Sequence, residues 1–244
     1  MTTRKRADVL LVERGLFESR MRARAAIISG RVWADGVPVR NPSDTVAADA
    51  AFEASPAHPW ISRGGVKLAA ALDHLGFDPT GHICLDVGAS TGGFTDVLVT
   101  RGARSVYAVD VGHDQLHASL QGDMRVVSLE GTDIRTLDPA ALPEAPDFAT
   151  VDVSFISLKL VLPALDRLLR RPSWLVALIK PQFEAGRKHL KKGIVRDPAV
   201  QSAVCEDIKA LATSLGWDVV GIIPSPITGA QGNREFLLGA RRSA

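Results

Sequence analysis

The sequence of 244 residues has little cysteine, little aromatic content and no long apolar run. Its 2 Cys, Cys84 and Cys205, stand far apart, lack CxxC spacing and sit among apolar neighbours. That pattern excludes a disulfide framework and a thiol-based zinc or redox motif, and predicts two buried free thiols in a reducing compartment. The apolar runs are short, such as Trp174 to Ile179 before Lys180, whereas a membrane-spanning helix needs about 20 residues. Met1 to Arg6 is basic, but Asp8, Glu13 and Arg14 interrupt the stretch that a secretory signal would keep apolar. A cytoplasmic location is therefore expected. The six His (58, 74, 82, 113, 117 and 189) are scattered. Only His113 and His117 could share a helical face, beside Asp114 and without a third ligand, so no metal is expected.

A strong charge excess is also missing. The formal net charge is +2, with 46% hydrophobic and 23% charged residues, which excludes disordered and collagenous classes. Length allows one large domain, or a large one with a small companion. The small net charge hides an asymmetry. Residues 1–40 hold nine Lys or Arg against Asp8, Glu13, Glu18 and Asp35, a balance of +5, which leaves −3 for the rest. A basic amino-terminal lobe suits a polyanion such as RNA; a merely solvated basic face is the alternative.

Ala7 to Arg14 is expected as a short helix ended by Gly15. Ser19 is a candidate N-cap for a second helix, Arg20 to Ser29, with Met21, Ala25 and Ile28 as its apolar stripe and Arg20 and Arg24 in a separate row. Gly30 ends it. Arg31 to Val39 reads as two strands joined by the Asp35-Gly36 turn, with a third near Ala51 to Glu53 and a linker after it. This order, carried by Arg14-Gly15-Leu16-Phe17-Glu18-Ser19-Arg20, Gly30-Arg31-Val32 and Asp35-Gly36, resembles the alpha-L RNA-binding module over about residues 5–54. The resemblance implies an RNA-binding α+β domain with Arg4, Arg6, Arg14, Arg20, Arg24 and Arg31 as candidate RNA contacts.

From Arg63 strands and helices alternate. Helices are expected at 65–75, 95–101, 158–170 and 198–215, and strands at 83–87, 105–110, 147–153, 174–179, 217–223 and 234–240. Such alternation predicts an α/β domain, an open and mostly parallel sheet with helices on both faces. Leu85-Asp86-Val87-Gly88-Ala89-Ser90-Thr91-Gly92-Gly93-Phe94-Thr95 ends a buried strand and opens a helix. It lacks the Gly-Lys-Ser/Thr ending of a phosphate-binding loop, and Asp86 is an unfavourable charge beside a pyrophosphate. A carboxylate there suits a cationic ligand, and Asp110, twenty-two residues after Gly88, can take ribose hydroxyls. S-adenosylmethionine fits both; the alternative is that the two Asp are strand-end caps. The segment resembles the class I, Rossmann-like methyltransferases and, within them, the FtsJ-like ribose methyltransferases, with Ser90 in place of a middle glycine. The resemblance implies a cofactor site of Gly88, Ser90, Gly92, Gly93 and Phe94 with Asp86, with Asp110 on the ribose and Asp133 towards the adenine.

Four isolated polar residues stand out: Lys67 at the start of the first of these helices, Asp152 and Lys180 at strand ends, and Glu235 in a late strand. A ribose 2′-hydroxyl is a poor nucleophile, so its methylation needs a positioned base or a cation that stabilises the forming alkoxide. Lys180 can serve as either, with Asp152 and Glu235 holding the two ammonium groups; separate surface ion pairs are the alternative. Asp152-Val153-Ser154-Phe155 lacks the paired prolines used on exocyclic amines, and neither Cys is placed to attack a pyrimidine. Resemblance to the Lys-Asp-Lys-Glu tetrad of FtsJ-like enzymes gives the same catalytic set.

Arg63-Gly64-Gly65-Val66-Lys67-Leu68, Asp152 to Ser157, Lys180-Pro181-Gln182-Phe183-Glu184 and Gly232-Asn233-Arg234-Glu235-Phe236 together resemble the TlyA, or haemolysin A-like, family over nearly the whole chain. That resemblance implies 2′-O-methylation of cytidine in ribosomal RNA. The short stretch after Arg242 points to the large subunit as substrate. In the linker Ala57-His58-Pro59-Trp60-Ile61-Ser62, relatives often carry an Arg where His58 or Pro59 stands. A second basic cluster, Arg187, Lys188, Lys191, Lys192 and Arg196, is expected to grip RNA, or else to form a mobile solvated loop. The expected plan is an RNA-binding domain over 1–61 and a methyltransferase domain over 62–244. Two readings of other classes stand beside it: a non-catalytic RNA-binding or ribosome assembly factor, and a cytolytic protein, disfavoured because no membrane span or long amphipathic segment is visible.

Overall fold

The computed structural model describes residues 3–244, apart from the side chain of Ala230. The chain forms two compact units, one ending at Pro59 and one running from Trp60 to Ala244. Trp60 and Ile61 belong with the second unit: Trp60 packs on its core and the Ile61 amide donates to Asp96.

The first unit runs β1 (Arg4–Arg6), α1 (Ala7–Glu13), α2 (Arg20–Ile28), β2 (Val32–Ala34), β3 (Val37–Pro38), β4 (Thr45–Ala47) and β5 (Phe52–Ala54). β1 pairs antiparallel with β4, and β2 is flanked by β3 and β5. Asp35 and Gly36 both have positive φ, 51° and 74°, as a two-residue hairpin turn requires. Ser19 caps α2 by accepting from the Arg22 amide. The rotation of α2 differs from the expected stripe. Ala23, Ala26 and Ile27 face the core, whereas Met21 and Ile28 are 78% and 70% exposed. The cause is packing between elements: small alanines suit the close approach of α1 to α2, and Arg20 reaches the buried Asp8 at 2.8 Å.

The second unit holds a seven-stranded sheet. Its parallel part comprises β6 (Ile83–Val87), β7 (Ser105–Val109), β8 (Val126–Leu129), β9 (Phe148–Val151) and β10 (Ser173–Ile179). β11 (Asp218–Pro224) and β12 (Phe236–Arg242) complete it, with β12 antiparallel to β10. The order is β11-β12-β10-β9-β6-β7-β8. The chain thus leaves β6 towards β7 and β8, then returns to the other side with β9, so the order reverses between β6 and β9. In such sheets a ligand binds beyond the carboxyl ends at the reversal.

Helices α3 (Arg63–Leu75) and α4 (Gly93–Thr100) pack on one face through Leu68, Leu72, Val97 and Leu98. On the other face, α6 (Leu158–Leu168) and α8 (Pro198–Ser214) pack through Leu162, Leu165, Ile208 and Ala212. Two short helices, α5 (Ala118–Gln121) and α7 (Pro181–Glu184), lie in loops at the carboxyl edge. β6 is buried along its whole length, which explains its unbroken apolar run around Asp86. β8 has no counterpart among the expected strands; it is a half-exposed edge. Among the described residues no helix is long and apolar enough to cross a membrane, and no group of three or more metal-ligating side chains occurs.

Candidate active site

A cavity of about 800 Å³ opens at the reversal between β6 and β9. Gly88, Ser90 and Asp110 line one side, Thr132 and Asp133 another, and the loop Asp152 to Ser157 a third. Gly88 has φ 83°, and a Cβ on it would fall 2.6 Å from the Asp152 carbonyl oxygen. The two switch-point loops therefore touch through a residue that has no room for a side chain. Ser90, in the place of a middle glycine, also adopts a left-handed φ of 46°. Its backbone N–H donates to Asp110 at 2.8 Å, and the other Asp110 oxygen accepts from the Gly112 amide at 2.7 Å. One carboxylate so organises the loops after β6 and β7 and still faces the cavity. Asp133 also lines it, while its carboxylate accepts from the Arg135 amide and side chain. That guanidinium holds the Asp133 carboxyl below the usual range.

Four of the expected cofactor residues lie elsewhere. Asp86 is fully buried in β6, where it accepts hydrogen bonds from the hydroxyls of Thr95 at 2.6 Å and Thr150 at 2.9 Å. Burial pushes its carboxyl up to about 6, with the threonine bonds opposing the shift. It ties β6 to β9 and α4 from behind the cavity instead of facing a cation. Gly92 and Gly93 are small for packing: a Cβ would meet Leu120 at 2.2 Å on the first and the Ser62 hydroxyl at 2.0 Å on the second. Phe94 is buried in the core under α3.

Lys67, Asp152, Lys180 and Glu235 are arranged as two ion pairs. Lys67 Nζ lies 2.6 Å from Glu235 Oε2, and both side chains are buried. Lys180 Nζ lies 2.6 Å from Asp152 Oδ1 and donates to Ser154 Oγ at 2.8 Å. Glu235 precedes β12 and does not lie within it; because β12 is antiparallel, with Phe236 opposite Ile179, its start reaches the edge that carries Lys180. Gly229 leaves room for Glu235, since a Cβ there would fall 1.9 Å from Oε1.

The sequence reading did not single out several residues of this edge. Phe155 has φ 64°, is 91% exposed and stands against the Phe183 ring at 5.1 Å. Glu184 accepts from Ser157 Oγ at 2.5 Å and from the Leu158 amide at 2.8 Å. Lys180, Phe183 and Glu184 thus engage Asp152 with Ser154, Phe155, and Ser157 with Leu158 in turn, joining the loops after β9 and β10. Three contacts in the same order along both segments were the available signal, but only the fold brings the segments together.

The basic candidates divide by environment. Arg6 and Arg20 both pair with Asp8, at 2.9 and 2.8 Å. That carboxylate is wholly buried and is held down to about 2, first by its hydrogen bond from Arg6. Arg14 donates to the carbonyls of Ala48 and Ala50 and lies over the Phe52 ring. Arg4 donates to the Thr45 carbonyl. These four shape the first unit while their side chains border solvent, whereas Arg24 and Arg31 are exposed beside them. Arg187, Lys188, Lys191 and Lys192 are exposed on the loop after α7.

Comparison with known proteins adds the following. The FtsJ-like methyltransferase family matches residues 60–242, and the S4 domain family matches residues 5–50. The 16S/23S rRNA (cytidine-2′-O)-methyltransferase TlyA of Mycobacterium tuberculosis is 44% identical over 246 aligned positions, covering 99% of this chain and 91% of that one. The 23S rRNA (cytidine-2′-O)-methyltransferase TlyA of Campylobacter jejuni is 35% identical, covering 80% and 76%. A solved Streptococcus thermophilus chain, provisionally named a hemolysin, superposes with a TM-score of 0.78 at 40% identity, covering 100% of this chain and 90% of that one.

Proposed function

The chain belongs to the FtsJ-like methyltransferase family and carries an S4 domain ahead of it, and from that premise we propose that it methylates a ribose 2′-oxygen of ribosomal RNA with S-adenosylmethionine. The observation that carries this reading is the Lys180–Asp152 pair at the carboxyl ends of β10 and β9, with Asp152 lining the cavity, together with the buried Lys67–Glu235 pair at the adjoining start of β12. The cavity suits the cofactor. Gly88 lines it with backbone alone and lets the Asp152 loop close against it, Asp110 offers a carboxylate to ribose hydroxyls, and Val111, Ile134 and Leu160 offer apolar surface to a base. Of the earlier set, Gly88, Ser90, Asp110 and Asp133 are the cofactor contacts in this proposal.

When bound, S-adenosylmethionine supplies an electrophilic methyl group on a sulfonium. The chain's own residues prepare the oxygen that receives it. Lys180 Nζ is paired with Asp152 at 2.6 Å and donates a hydrogen bond to Ser154 Oγ at 2.8 Å. Its remaining direction serves the ribose: the neutral amine takes the hydroxyl proton on its lone pair, or the ammonium donates to the forming alkoxide. Asp152 fixes that nitrogen and balances its charge. Glu235 does the same for Lys67, which keeps a second cation on this edge. Phe155, exposed at the cavity rim, offers a ring face on which an unstacked base can rest.

The first unit, ending at Pro59, supplies RNA affinity in this reading, through Arg4, Arg6, Arg14, Arg20, Arg24 and Arg31, and the loop with Arg187, Lys188, Lys191 and Lys192 adds contacts near the transferred methyl. The large ribosomal subunit is the proposed substrate, since 23S RNA figures in the names of both TlyA relatives. Its cytidine is the proposed nucleotide and the cytoplasm the proposed place. The test is transfer from labelled S-adenosylmethionine to purified large and small subunits, followed by mapping of alkali-resistant positions. A 2′-O-methylcytidine in 23S RNA is expected. Cofactor binding without transfer to either subunit would overturn the assignment and favour the non-catalytic assembly role.

A further inference from the structure

The basic loop between α7 and α8 is anchored by two buried amide side chains. Asn233, 3% exposed, accepts from the Val195 amide at 3.3 Å through Oδ1 and donates to the Gly193 carbonyl at 3.1 Å through Nδ2. Gln201, 4% exposed and in the first turn of α8, donates to the Val195 carbonyl at 2.7 Å. Beyond these anchors the backbone closes on itself: the Lys191 amide donates to Ile194 O at 3.0 Å, and the Ile194 amide to Lys191 O at 3.1 Å. Lys192 and Gly193, the two residues between, have φ 53° and 77°. This is the two-residue turn of tight hairpins, with both central residues left-handed. Lys191 and Lys192 stand exposed at its tip, and Arg187 and Lys188 form a 3-10 turn just before it.

From this we infer that Asn233 is a positioning residue for RNA: it holds residues 187–195 as a preformed basic finger, fixed in relation to Glu235 two residues further on. The inference rests on the RNA-methyltransferase reading above. Its physical basis is preorganisation. A loop free to wander would have to be ordered when RNA binds, and that ordering subtracts from affinity. A turn pinned at its base by a buried side chain has already lost that freedom. Asn233 suits the task because one amide offers a donor and an acceptor, satisfying a carbonyl and an N–H that the turn leaves open. Gly193 contributes by its φ and by its nearness to the neighbouring loop, where a Cβ would lie 3.0 Å from Gln231 Oε1.

The test is a double-mutant cycle on the full chain, with the Michaelis constant for ribosomal RNA as readout and cofactor affinity and thermal melting measured alongside. Asn233→Ala is expected to raise KM for RNA about fivefold or more while cofactor affinity holds. In an Arg187→Ala/Lys188→Ala/Lys191→Ala/Lys192→Ala background, the same substitution should raise KM little further, because the side chains it positions are gone. Asn233→Asp keeps the acceptor for Val195 and loses the donor to Gly193. Because it also sets a carboxylate oxygen against the Gly193 carbonyl, it should raise KM at least as far as Asn233→Ala; Gln201→Ala, which removes the second anchor, serves as the probe if Asn233→Ala does not fold. An unchanged KM in a folded variant, or an equal rise in both backgrounds, would overturn the inference. A wild-type protein that methylates no RNA would instead overturn the reading beneath it.

Discussion

Replacing Glu235 with Ala leaves the Lys67 ammonium buried without its partner. The side chains of this pair are 9% and 3% exposed and 2.6 Å apart, so water cannot take over the lost contact. Removing one member of such a pair costs about 3–5 kcal/mol, because the remaining charge must be desolvated alone. For a domain of this size, 1 kcal/mol corresponds to about 2–4 °C in melting temperature, so a drop on the order of 6–20 °C is expected. The double substitution Lys67→Met/Glu235→Leu removes both charges and fills the space with apolar atoms of similar volume. It should recover most of that loss, since exchanging a whole buried pair for apolar side chains is often neutral or stabilising. Methyl transfer should be lost in the single and the double variant alike. The assay is thermal unfolding followed by circular dichroism, with transfer of labelled methyl measured on the same preparations. A Glu235→Ala protein melting within about 2 °C of wild type, or a double variant no more stable than the single one, would refute the reasoning.

Three further outcomes are expected. The folded-state carboxyl of Asp86 lies at about 6, above its ordinary 3.8, so the folded chain binds the extra proton more tightly and stability declines as pH rises from about 4 to about 6. Asp86→Asn should flatten this part of a pH series of chemical denaturation; an unaltered slope would mean that another group is responsible. Gly88→Ala must place a Cβ against the Asp152 carbonyl at positive φ, and the left-handed conformation alone costs about 1–2 kcal/mol. Calorimetry should show cofactor binding about tenfold weaker or worse, and unchanged affinity would mean that the loop is dispensable. Phe155→Ala should raise KM for RNA by about 5- to 150-fold if the ring stacks on one base, at about 1–3 kcal/mol per stack, with cofactor affinity intact. Loss of cofactor affinity instead would place the ring in the other subsite.

Much of the fold was legible because it rests on local patterns. Ser19 and Gly15 mark helix ends, Asp35-Gly36 marks a hairpin, and the wholly buried β6 reads as an apolar run. The four charges that form the two ion pairs stood out for a related reason: isolated charges are conspicuous against apolar runs, and Asp152 and Lys180 follow strands whose carboxyl edge borders the cavity. What escaped depends on long-range packing. β8 carries no apolar run because it is an edge. The rotation of α2 is set by Asp8, twelve residues before Arg20. The small size of Gly92 and Gly93 leaves room for Leu120 and Ser62, neighbours that only the fold brings to them. Asp86 looked like a ligand group because a charge beside a glycine loop resembles one, yet Thr95 and Thr150 enclose it. The joining of Glu184 to Ser157 and Leu158 spans two loops that only the sheet brings together.

The most direct test of the account is Lys180→Ala. Lys180 is the one tetrad member that pairs with Asp152 and also bonds Ser154 in the loop lining the cavity. Binding of S-adenosylmethionine should remain near wild type, while transfer of labelled methyl to ribosomal RNA should fall by about a hundredfold or more, the scale of a lost general base. Transfer at the wild-type rate, with the cofactor bound normally, would contradict the assignment of the reacting hydroxyl to this edge of the sheet.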